Sequence, residues 1–502
     1  MFAACEKGID SAGASEKLPN ETITENPAQH DGMMQLGKKL ENPYSVENMR
    51  TAYELLSPQT RNSIGVSADK VVQTTHYYVK FHPKNEDELY VLKLDTSLIL
   101  YSYPLDYDIK ENGAYYHDPA IPDSLPTYQY ASVKVGYQFP QEVEYEILEN
   151  LYIPDEYNDD DAQTRTSDNI NEEFVEELVS KSMNLTGNED DTESMTRGRL
   201  SKWRPAGYIA YYDNTLSDFC GVEGLKVRAK RWFTTHEGIV GSDGKFTCNG
   251  KFRGEVDYTV DLERDDFQIM NDKDIIRIST DNRRGSISWC FYSSQDEMYD
   301  YITAFRAAYH YYYKHIGSLS RPPMNTFWRS KLKIHVHRDA NTASGDFTYT
   351  RILGLFNRKE INIYNNNRLI EDEYSTVIHE FAHAVHWAKD RDLIFDVNLK
   401  VKESWAVGVQ WYLTKMIYPN YRGFSDWSNY TNVVMDLMDT ENDHSNNEGK
   451  NEAQGDSISE VPISEIETAL NGCTTWEQWR NNIKQNYDNE KQEKIEALFA
   501  VW

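Results

Sequence analysis

The sequence predicts a multidomain α+β protein in which strands and helices are distributed unevenly along the chain. Its 502 residues suffice for several domains, and 39% hydrophobic with 13% aromatic residues is typical of a globular protein. Strand and helix patterns alternate early, short strand patterns follow, and helical periodicity prevails towards the end. We therefore predict a small α+β domain over residues 46–154, a β-sandwich over 204–275, and a C-terminal domain with a mixed sheet and long helices over 276–502.

Two segments carry no pattern of a folded domain. Residues 1–45 are polar and lack hydrophobic periodicity, which predicts a disordered tether. Residues 155–203 are dense in Asp, Glu, Asn, Ser and Thr, which predicts an acidic linker, with a short helix at 172–181.

The N-terminal domain shows short elements of both kinds. Residues 76–81 and 130–137 are rich in aromatic and β-branched residues, which predicts strands. Asn85 is placed to cap a short helix that follows it. The apolar residues of 143–151 fall on one helical face, which predicts a further helix. No group of residues in this domain indicates chemistry.

Residues 204–275 contain several short strand patterns separated by turns. Residues 224–232 alternate apolar and basic side chains, as in a half-buried strand, and Asp243-Gly244 is a typical hairpin turn. This spacing predicts a β-sandwich. The succession Gly-x-Ile, Gly-Leu-x-Val and Asp-Gly-x-Phe resembles that of the transthyretin-like, carboxypeptidase-regulatory domain. The resemblance implies a domain that supports or positions a neighbour and does no chemistry itself.

The C-terminal domain begins with a strong helical pattern. Apolar residues recur at three- and four-residue steps from Met298 to Ile316, which predicts a long helix closed by Gly317. Residues 332–337 alternate strictly, which predicts a strand with one polar face, and 361–364 predict a second strand. A helix with an acidic first turn is then predicted over 372–389.

This last helix carries a metal-binding motif, since residues 379–383 read His-Glu-Phe-Ala-His. Residues four apart lie one above the other on a helix, so His379 and His383 can bind one metal ion. Glu380 is placed to act on a water molecule at that metal. The apolar stripe of the helix predicts burial, and a metal ion would satisfy the three buried polar groups.

A catalytic zinc ion takes three protein ligands and leaves one position open. The next predicted helix, over 402–413, carries Glu403, twenty positions after His383. A buried carboxylate there needs a partner, which a zinc ion would supply. The motif followed by a Glu within Glu-Ser-Trp-Ala resembles the gluzincin peptidases. The resemblance implies that His379, His383 and Glu403 bind zinc (Zn2+) and that the C-terminal domain is zincin-like.

The same resemblance implies a zinc metallopeptidase, and specifically an endopeptidase, that acts on proteins or peptides. A zinc-bound water would attack the scissile carbonyl, with Glu380 as the general base that later protonates the leaving amine. The oxyanion needs a stabiliser besides zinc, and Tyr412, Tyr421 and Tyr430 are candidates, of which Tyr430 is preferred.

Two further residues are expected to support the site from outside the metal's own ligands. His386 lies on the same helical face as His379 and is expected to line the cleft, where it would bond substrate or Glu403. Residue 407, where a thermolysin-type Asp would orient a histidine, is Val. Asp436 is expected to take this orienting role. An extended substrate is expected to add to a sheet edge formed by residues 347–356.

Charge and the N-terminus bear on partners and location. A net charge of −29 argues against nucleic acid as a partner. No apolar run approaches the ~18 residues of a transmembrane helix. Phe-Ala-Ala-Cys, ending at Cys5, resembles the end of a bacterial lipoprotein signal, which implies an exported, lipid-anchored protein of the outer membrane or cell surface. Cys220 and Cys248 would either pair in such a protein or remain free thiols.

Two alternatives to a free-standing peptidase stay open. The first is a surface-binding lipoprotein whose zincin-like domain does not turn over substrate, against which the presence of Glu380 argues. The second is a peptidase that its N-terminal domain restrains until cleavage in the acidic segment.

Overall fold

The computed structural model confirms the α+β class. The described part of the chain forms 12 α-helices and 17 strands, and the strands are arranged in five sheets. The described residues are 33–111, 116–122, 124–154, 172–188, 202–271, 275–292, 297–324, 331–338, 344–352, 355–364, 369–389, 391, 393–423, 428–439 and 458–502.

The N-terminal unit, residues 33–188, has two small sheets. One sheet has the strand order β4-β2-β5, and the other pairs β1 with β3. Helices α1 and α5 pack against each other. The elements are β1 (Gln35–Lys39), α1 (Val46–Glu54), α2 (Pro58–Ile64), α3 (Ala68–Val71), β2 (His76–His82), α4 (Glu86–Leu94), β3 (Tyr107–Glu111), β4 (Gln129–Lys134), β5 (Glu144–Leu151) and α5 (Glu172–Leu185).

Strand β5 corrects the helix predicted over residues 143–151. Its backbone pairs antiparallel with β2, from His82↔Glu144 to His76↔Leu151. Ile147 and Leu148, on the supposed apolar helical face, are 43% and 39% exposed. The predicted helix is wrong because its apolar face would have had no core to cover, whereas β2 offers a ladder of backbone hydrogen bonds.

Regular secondary structure also occurs within the segments that were predicted to be a disordered tether and an acidic linker. Strand β1 lies within the range predicted as a tether and pairs with β3. Helix α5 lies within the predicted linker and confirms the short helix expected there. It buries Phe174, Val175 and Leu178 in the core of the N-terminal unit, which explains why this stretch folds despite its polar surroundings.

The two-sheet unit, residues 206–291, follows. One sheet has the order β10-β6-β14 with β7 beside β6, and the other has the order β13-β11-β8-β9. Buried residues of β6 and β8, such as Tyr211 and Val227, share one core. The elements are β6 (Ala206–Asp213), β7 (Asp218–Gly221), β8 (Lys226–Arg231), β9 (Thr234–Ile239), β10 (Lys245–Thr247), β11 (Val256–Asp261), β12 (Phe267–Met270), β13 (Arg277–Arg283) and β14 (Ile287–Phe291).

Strands of this unit and of the next alternate in sequence around residue 275. Strand β12 leaves the two-sheet unit and pairs parallel with a later strand, from Phe267↔Leu332 to Met270↔His335. Strands β13 and β14 then return and pair with β11 and β6. The boundary predicted at 275 therefore falls within a stretch that serves both units.

The C-terminal unit comprises β12 and residues 297–502. Its sheet has the order β12-β15-β17-β16, with β16 antiparallel to β17 at the edge, and helices α6 and α7 contact this sheet. The elements after β14 are α6 (Glu297–Tyr313), β15 (Leu332–His337), β16 (Ser344–Ile352), β17 (Leu355–Tyr364), α7 (Ile370–Lys389), α8 (Leu399–Lys415), α9 (Val433–Met438), α10 (Ile463–Thr468), α11 (Trp476–Lys484) and α12 (Asn489–Val501).

The N-terminal unit packs on the two-sheet unit through an aromatic contact. The hydroxyls of Tyr101 and Thr235 are 2.7 Å apart, and the ammonium of Lys230 lies 5.1 Å and 5.2 Å from the rings of Tyr101 and Tyr103. Phe233 is buried in the core of the N-terminal unit. These contacts join the N-terminal unit to strands β8 and β9 and the turn between them.

A buried polar cluster joins the two-sheet unit to the C-terminal unit. Asp213, at the end of β6, is fully buried and accepts a hydrogen bond from the Tyr418 hydroxyl (2.7 Å). The Arg306 guanidinium of α6 lies 3.6 Å from the same carboxylate and 4.2 Å from the Tyr211 ring centroid. Because buried charges are tolerated only when they are paired, this cluster fixes the two units against each other.

His310 of α6 should make stability depend on pH. It is buried and accepts a 2.6 Å hydrogen bond from the Tyr374 hydroxyl, and burial lowers its pKa from 6.5 to about 4. The folded chain therefore keeps His310 neutral where the unfolded chain binds a proton. The contribution of neutral His310 to the free energy of unfolding is fully present above pH 6.5. It is lost as the pH drops towards 4, and the loss is about 2 kcal/mol at pH 5.

Urea unfolding of metal-free protein at pH 7.5 and pH 5 measures this loss. His310→Gln keeps an acceptor for Tyr374 and removes the titrating ring, so it should lose about 2 kcal/mol less than wild type over the same interval. Equal losses in the two proteins would contradict the assignment.

No helix in the described ranges combines the length and the hydropathy that a bilayer crossing requires.

Candidate metal centre

Helices α7 and α8 pack against each other and carry the residues of the predicted metal site. Helix α7 has Glu371, Asp372 and Glu373 in its first turn, where negative charge is favourable, and an almost continuous run of buried residues after them. Helix α8 begins after Asn398, whose side chain accepts a hydrogen bond from the backbone N–H of Lys400. Both helices match the predicted ones, and both are buried as predicted.

The three predicted ligands converge on one point. The Nε2 atoms of His379 and His383 are 3.2 Å apart, and each lies 3.2 Å from Oε2 of Glu403. A tetrahedral zinc ion with bonds of about 2.0 Å has ligand atoms about 3.3 Å apart. The three donor atoms therefore form one face of such a tetrahedron, and the donor set fits zinc in both chemistry and spacing.

The electrostatics of the site favour an anionic third ligand. Burial alone would raise the pKa of Glu403, but hydrogen bonds with His379 and His383 outweigh it and hold this pKa far below its usual range. Glu403 is therefore ionised at all physiological pH values. One carboxylate and two imidazoles are the ligand set of many catalytic zinc sites.

Glu380 lies on the side of α7 that faces the edge strand β16. It is buried, and the Gly345 position of β16 lies across from its side chain. A Cβ atom on Gly345 would come within 2.7 Å of Glu380 Oε1 and 2.9 Å of a Thr376 methyl carbon. Glycine is therefore needed at this point of β16 for the Glu380 carboxylate to occupy its place.

Gly345→Ala should displace Glu380 without touching the metal ligands. If the site hydrolyses peptides, kcat should fall by roughly 10- to 100-fold, because misplacing a catalytic group by about 1 Å has an effect of that size. Zinc content should stay at the wild-type value. Steady-state kinetics with metal analysis of the same samples test this, and an unchanged kcat would show that Glu380 does not depend on this gap.

The three candidate oxyanion stabilisers lie in different places. Tyr430 stacks on the ring of His379, with centroids 6.1 Å apart and an angle of 25°. The Tyr412 hydroxyl lies against Gly317, where a Cβ atom would be 2.5 Å away. Tyr421 is buried, and its hydroxyl accepts a hydrogen bond from the side-chain amide of Gln410 (2.9 Å). Burial raises the pKa of Tyr421 to about 12. Of the three, Tyr430 has the ring contact with a predicted ligand, and its catalytic role stays a prediction.

The structure gives surroundings for both residues that were predicted to support the site. His386 is buried, and burial lowers its pKa to about 3, so it is neutral. It lines a small cavity with Cys473 and Leu470. Oδ2 of Asp436 accepts a hydrogen bond from the Trp502 indole (2.5 Å). Their proposed roles beside the metal stay predictions.

Gln410 is the residue near the site that sequence reasoning missed. Its Oε1 lies 3.0 Å from Nδ1 of His379, on the side of the ring opposite the metal-binding nitrogen. The sequence did contain an indication of it. Gln410 is a polar residue in an apolar stretch, and it lies seven positions, or two helical turns, after Glu403 on the same helical face. An amide oxygen at this distance can accept a hydrogen bond from the Nδ1 proton of His379.

The cysteines divide between described and undescribed parts of the chain. Cys5, the predicted lipidation site, lies outside the described residues. Cys220 and Cys248 are free thiols, which selects the second of the two alternatives left open for them.

Comparison with known protein families, with functionally characterised proteins and with solved structures gives no match to this chain.

Proposed function

We propose that this protein is a zinc-dependent endopeptidase of the gluzincin type. The observation that carries the proposal is the triangle of His379, His383 and Glu403 donor atoms, with sides of 3.2 Å. Among the described residues the set has three members, which supports a catalytic over a purely structural site, because a structural zinc site is closed by a fourth protein ligand. Glu380, next to His379 on α7, supplies a base for hydrolysis. In this proposal the C-terminal unit is zincin-like and the two-sheet unit is transthyretin-like.

Two features support these domain assignments. The two-sheet unit has two four-stranded sheets that share one core, as a sandwich requires. The C-terminal unit combines a mixed sheet, whose edge strand β16 runs antiparallel, with two buried helices that bring the metal ligands together.

The chain's own residues divide the chemistry between them. Zinc held by His379, His383 and Glu403 would supply Lewis-acid chemistry, activating a water molecule and polarising the scissile carbonyl. Glu380 would be the base that takes a proton from the attacking water and later gives it to the leaving amine. Tyr430, beside His379, donates a hydrogen bond to the oxyanion. Burial of His379, Glu380 and Glu403 excludes bulk water and strengthens these interactions.

The proposed substrate is a protein or peptide in extended conformation. Strand β16 pairs with β17 on one side and ends the sheet order on the other, and α7 runs beside it. A substrate strand added along β16 would pass the Gly345 position, next to Glu380. The range 347–356 predicted as the docking edge covers residues 347–352 of β16 and also includes the first two residues of β17, which lies inside the sheet.

The location proposed for this activity is the outer membrane or the cell surface, through a lipid on Cys5. A mass measurement on protein extracted from membranes tests it, since lipidation at Cys5 should leave Cys5 as the first residue and add the mass of a diacylglycerol group, in a series spaced by the acyl-chain lengths. A soluble, unmodified chain would contradict the lipid anchor and leave the peptidase proposal intact.

Metal removal tests the function itself. Wild-type protein should contain one zinc per chain, lose peptide hydrolysis when dialysed against a chelator, and regain it with stoichiometric zinc. Glu403→Ala should bind zinc far more weakly, because it leaves only two protein ligands. Zinc analysis and hydrolysis of an unfolded protein substrate are the measurements.

The outcomes separate the proposal from the binding-protein alternative. Zinc present with no hydrolysis of a broad set of peptides would favour the surface-binding lipoprotein. No zinc in wild type would contradict both the site and the peptidase.

A further inference from the structure

Gln410 has the contacts of a residue that orients a metal ligand. It lies in α8, is 8% exposed, and its side chain reaches the Nδ1 edge of His379 at 3.0 Å. His379 directs its other nitrogen, Nε2, towards His383 and Glu403. A histidine that binds metal through Nε2 carries its proton on Nδ1, and that proton needs an acceptor.

The orientation of the Gln410 amide follows from its other contacts. Its Nε2 donates to Ser375 Oγ (3.0 Å) and to the Tyr421 hydroxyl (2.9 Å). The Ser375 hydroxyl donates to the backbone carbonyl of Asp372 (2.9 Å), which leaves its oxygen to accept from the Gln410 amide. The amide nitrogen is therefore assigned to the side of Ser375 and Tyr421 and the amide oxygen to the side of His379, which satisfies every member of the network.

We infer that Gln410, held by Ser375, is the positioning residue that fixes the tautomer and ring orientation of His379 for metal binding. The inference rests on the zinc site of the proposed function and concerns a residue beyond it. The chain of hydrogen bonds runs from the Asp372 carbonyl through Ser375 and Gln410 to the Nδ1 proton of His379. All its side chains are buried, so water cannot replace a missing partner without rearrangement.

A neutral amide is an unusual choice with a physical consequence. Carboxylates often take this place behind a zinc-binding histidine and make the ring a stronger ligand. Gln410 supplies the acceptor without adding a negative charge. Among the three candidate ligands and Gln410, the one carboxylate is therefore that of Glu403. A carboxylate at position 410 should accept from His379 as well and increase the negative charge behind the metal.

Two substitutions distinguish an orienting role from mere filling of space. Gln410→Met keeps the length of the side chain and removes the acceptor, so zinc affinity should fall by about 10- to 100-fold. Gln410→Glu keeps an acceptor for His379, and the Tyr421 hydroxyl can turn to donate to the other carboxylate oxygen, so this variant should bind zinc at least as tightly as wild type. Competition with a chromophoric chelator measures the affinities.

The visible spectrum of the cobalt-substituted protein is the second readout. It should change in Gln410→Met, because the ring of His379 is free to tilt, and keep the four-coordinate intensity in Gln410→Glu. Ser375→Ala provides a second variant if Gln410→Met does not fold, and it should weaken zinc binding by a smaller factor, since the amide can then turn over.

The outcomes are separable from those of the proposed function. If wild type binds zinc and Gln410→Met binds it equally well with an unchanged cobalt spectrum, the positioning role is overturned and the peptidase proposal stands. If wild type binds no zinc, the proposed function and this inference fail together. Weaker binding in both Gln410→Met and Gln410→Glu would overturn the orienting role in favour of packing alone.

Discussion

Glu380→Gln should lower kcat for peptide hydrolysis by on the order of 10²- to 10⁴-fold and leave one zinc bound per chain. Glutamine has almost the same shape as glutamate, but it cannot accept the proton of the attacking water. None of the three ligand atoms of the site belongs to Glu380, so metal binding has no reason to change. Steady-state kinetics and zinc analysis of the same preparation provide the two numbers.

A carboxylate elsewhere on α7 supplies the matched control. Glu371 lies in the first turn of the helix, more than two turns before Glu380, and Glu371→Gln makes the same chemical change there. It should keep activity within a factor of a few. If Glu380→Gln retains full activity with zinc bound, the proposed mechanism is wrong, whatever the metal content.

Asp213→Ala should lower the free energy of unfolding by about 3–5 kcal/mol, because it leaves the Arg306 guanidinium buried without its carboxylate. It also removes the acceptor of the Tyr418 hydroxyl and of two backbone N–H groups, those of Thr215 and Leu216. Thermal unfolding and limited proteolysis measure the loss. Because the cluster joins two units, proteolysis should release fragments of the two-sheet unit earlier than in wild type.

The neighbouring strand offers a control for this substitution. Asp218, at the start of β7, is exposed, and Asp218→Ala should change stability by less than about 0.5 kcal/mol. The double variant Asp213→Leu with Arg306→Leu should recover part of the loss, since an apolar pair leaves no buried charge. A single Asp213→Ala variant as stable as wild type would show that Arg306 finds another partner.

The sequence was most informative where one periodicity was long and consistent. Helices α7 and α8 were predicted because a buried apolar stripe and a metal-binding pattern occur on the same stretch, and the structure brings His379, His383 and Glu403 together as that pattern implied. Strand β15 was equally predictable from the sequence, because its apolar and polar residues alternate strictly, and the structure shows the same alternation between buried and half-buried side chains. Local sequence is sufficient when it sets both the period and the buried face.

The predictions that failed or were missed depend on partners distant in sequence. The apolar residues of β5 recur at helical spacing, but its secondary structure depends on pairing with β2, which lies more than sixty residues earlier in the chain. Gln410 could be placed on a helix, but its contact with Nδ1 of His379 depends on how α7 and α8 cross. Asp213 ends a strand like many other aspartates, and nothing nearby in sequence indicates Arg306 of α6 as its partner.

The path of the chain through β12 also has a consequence for the evolution of this protein. The strand that begins the C-terminal sheet is encoded between β11 and β13 of the two-sheet unit. A recombination event that moved either unit alone into another gene would carry away a strand of the other or leave one behind. We therefore expect these two units to be inherited as one genetic block. The described residues of the N-terminal unit contribute no strand to the sheets of the other two units, so we expect that unit to be exchanged or lost independently.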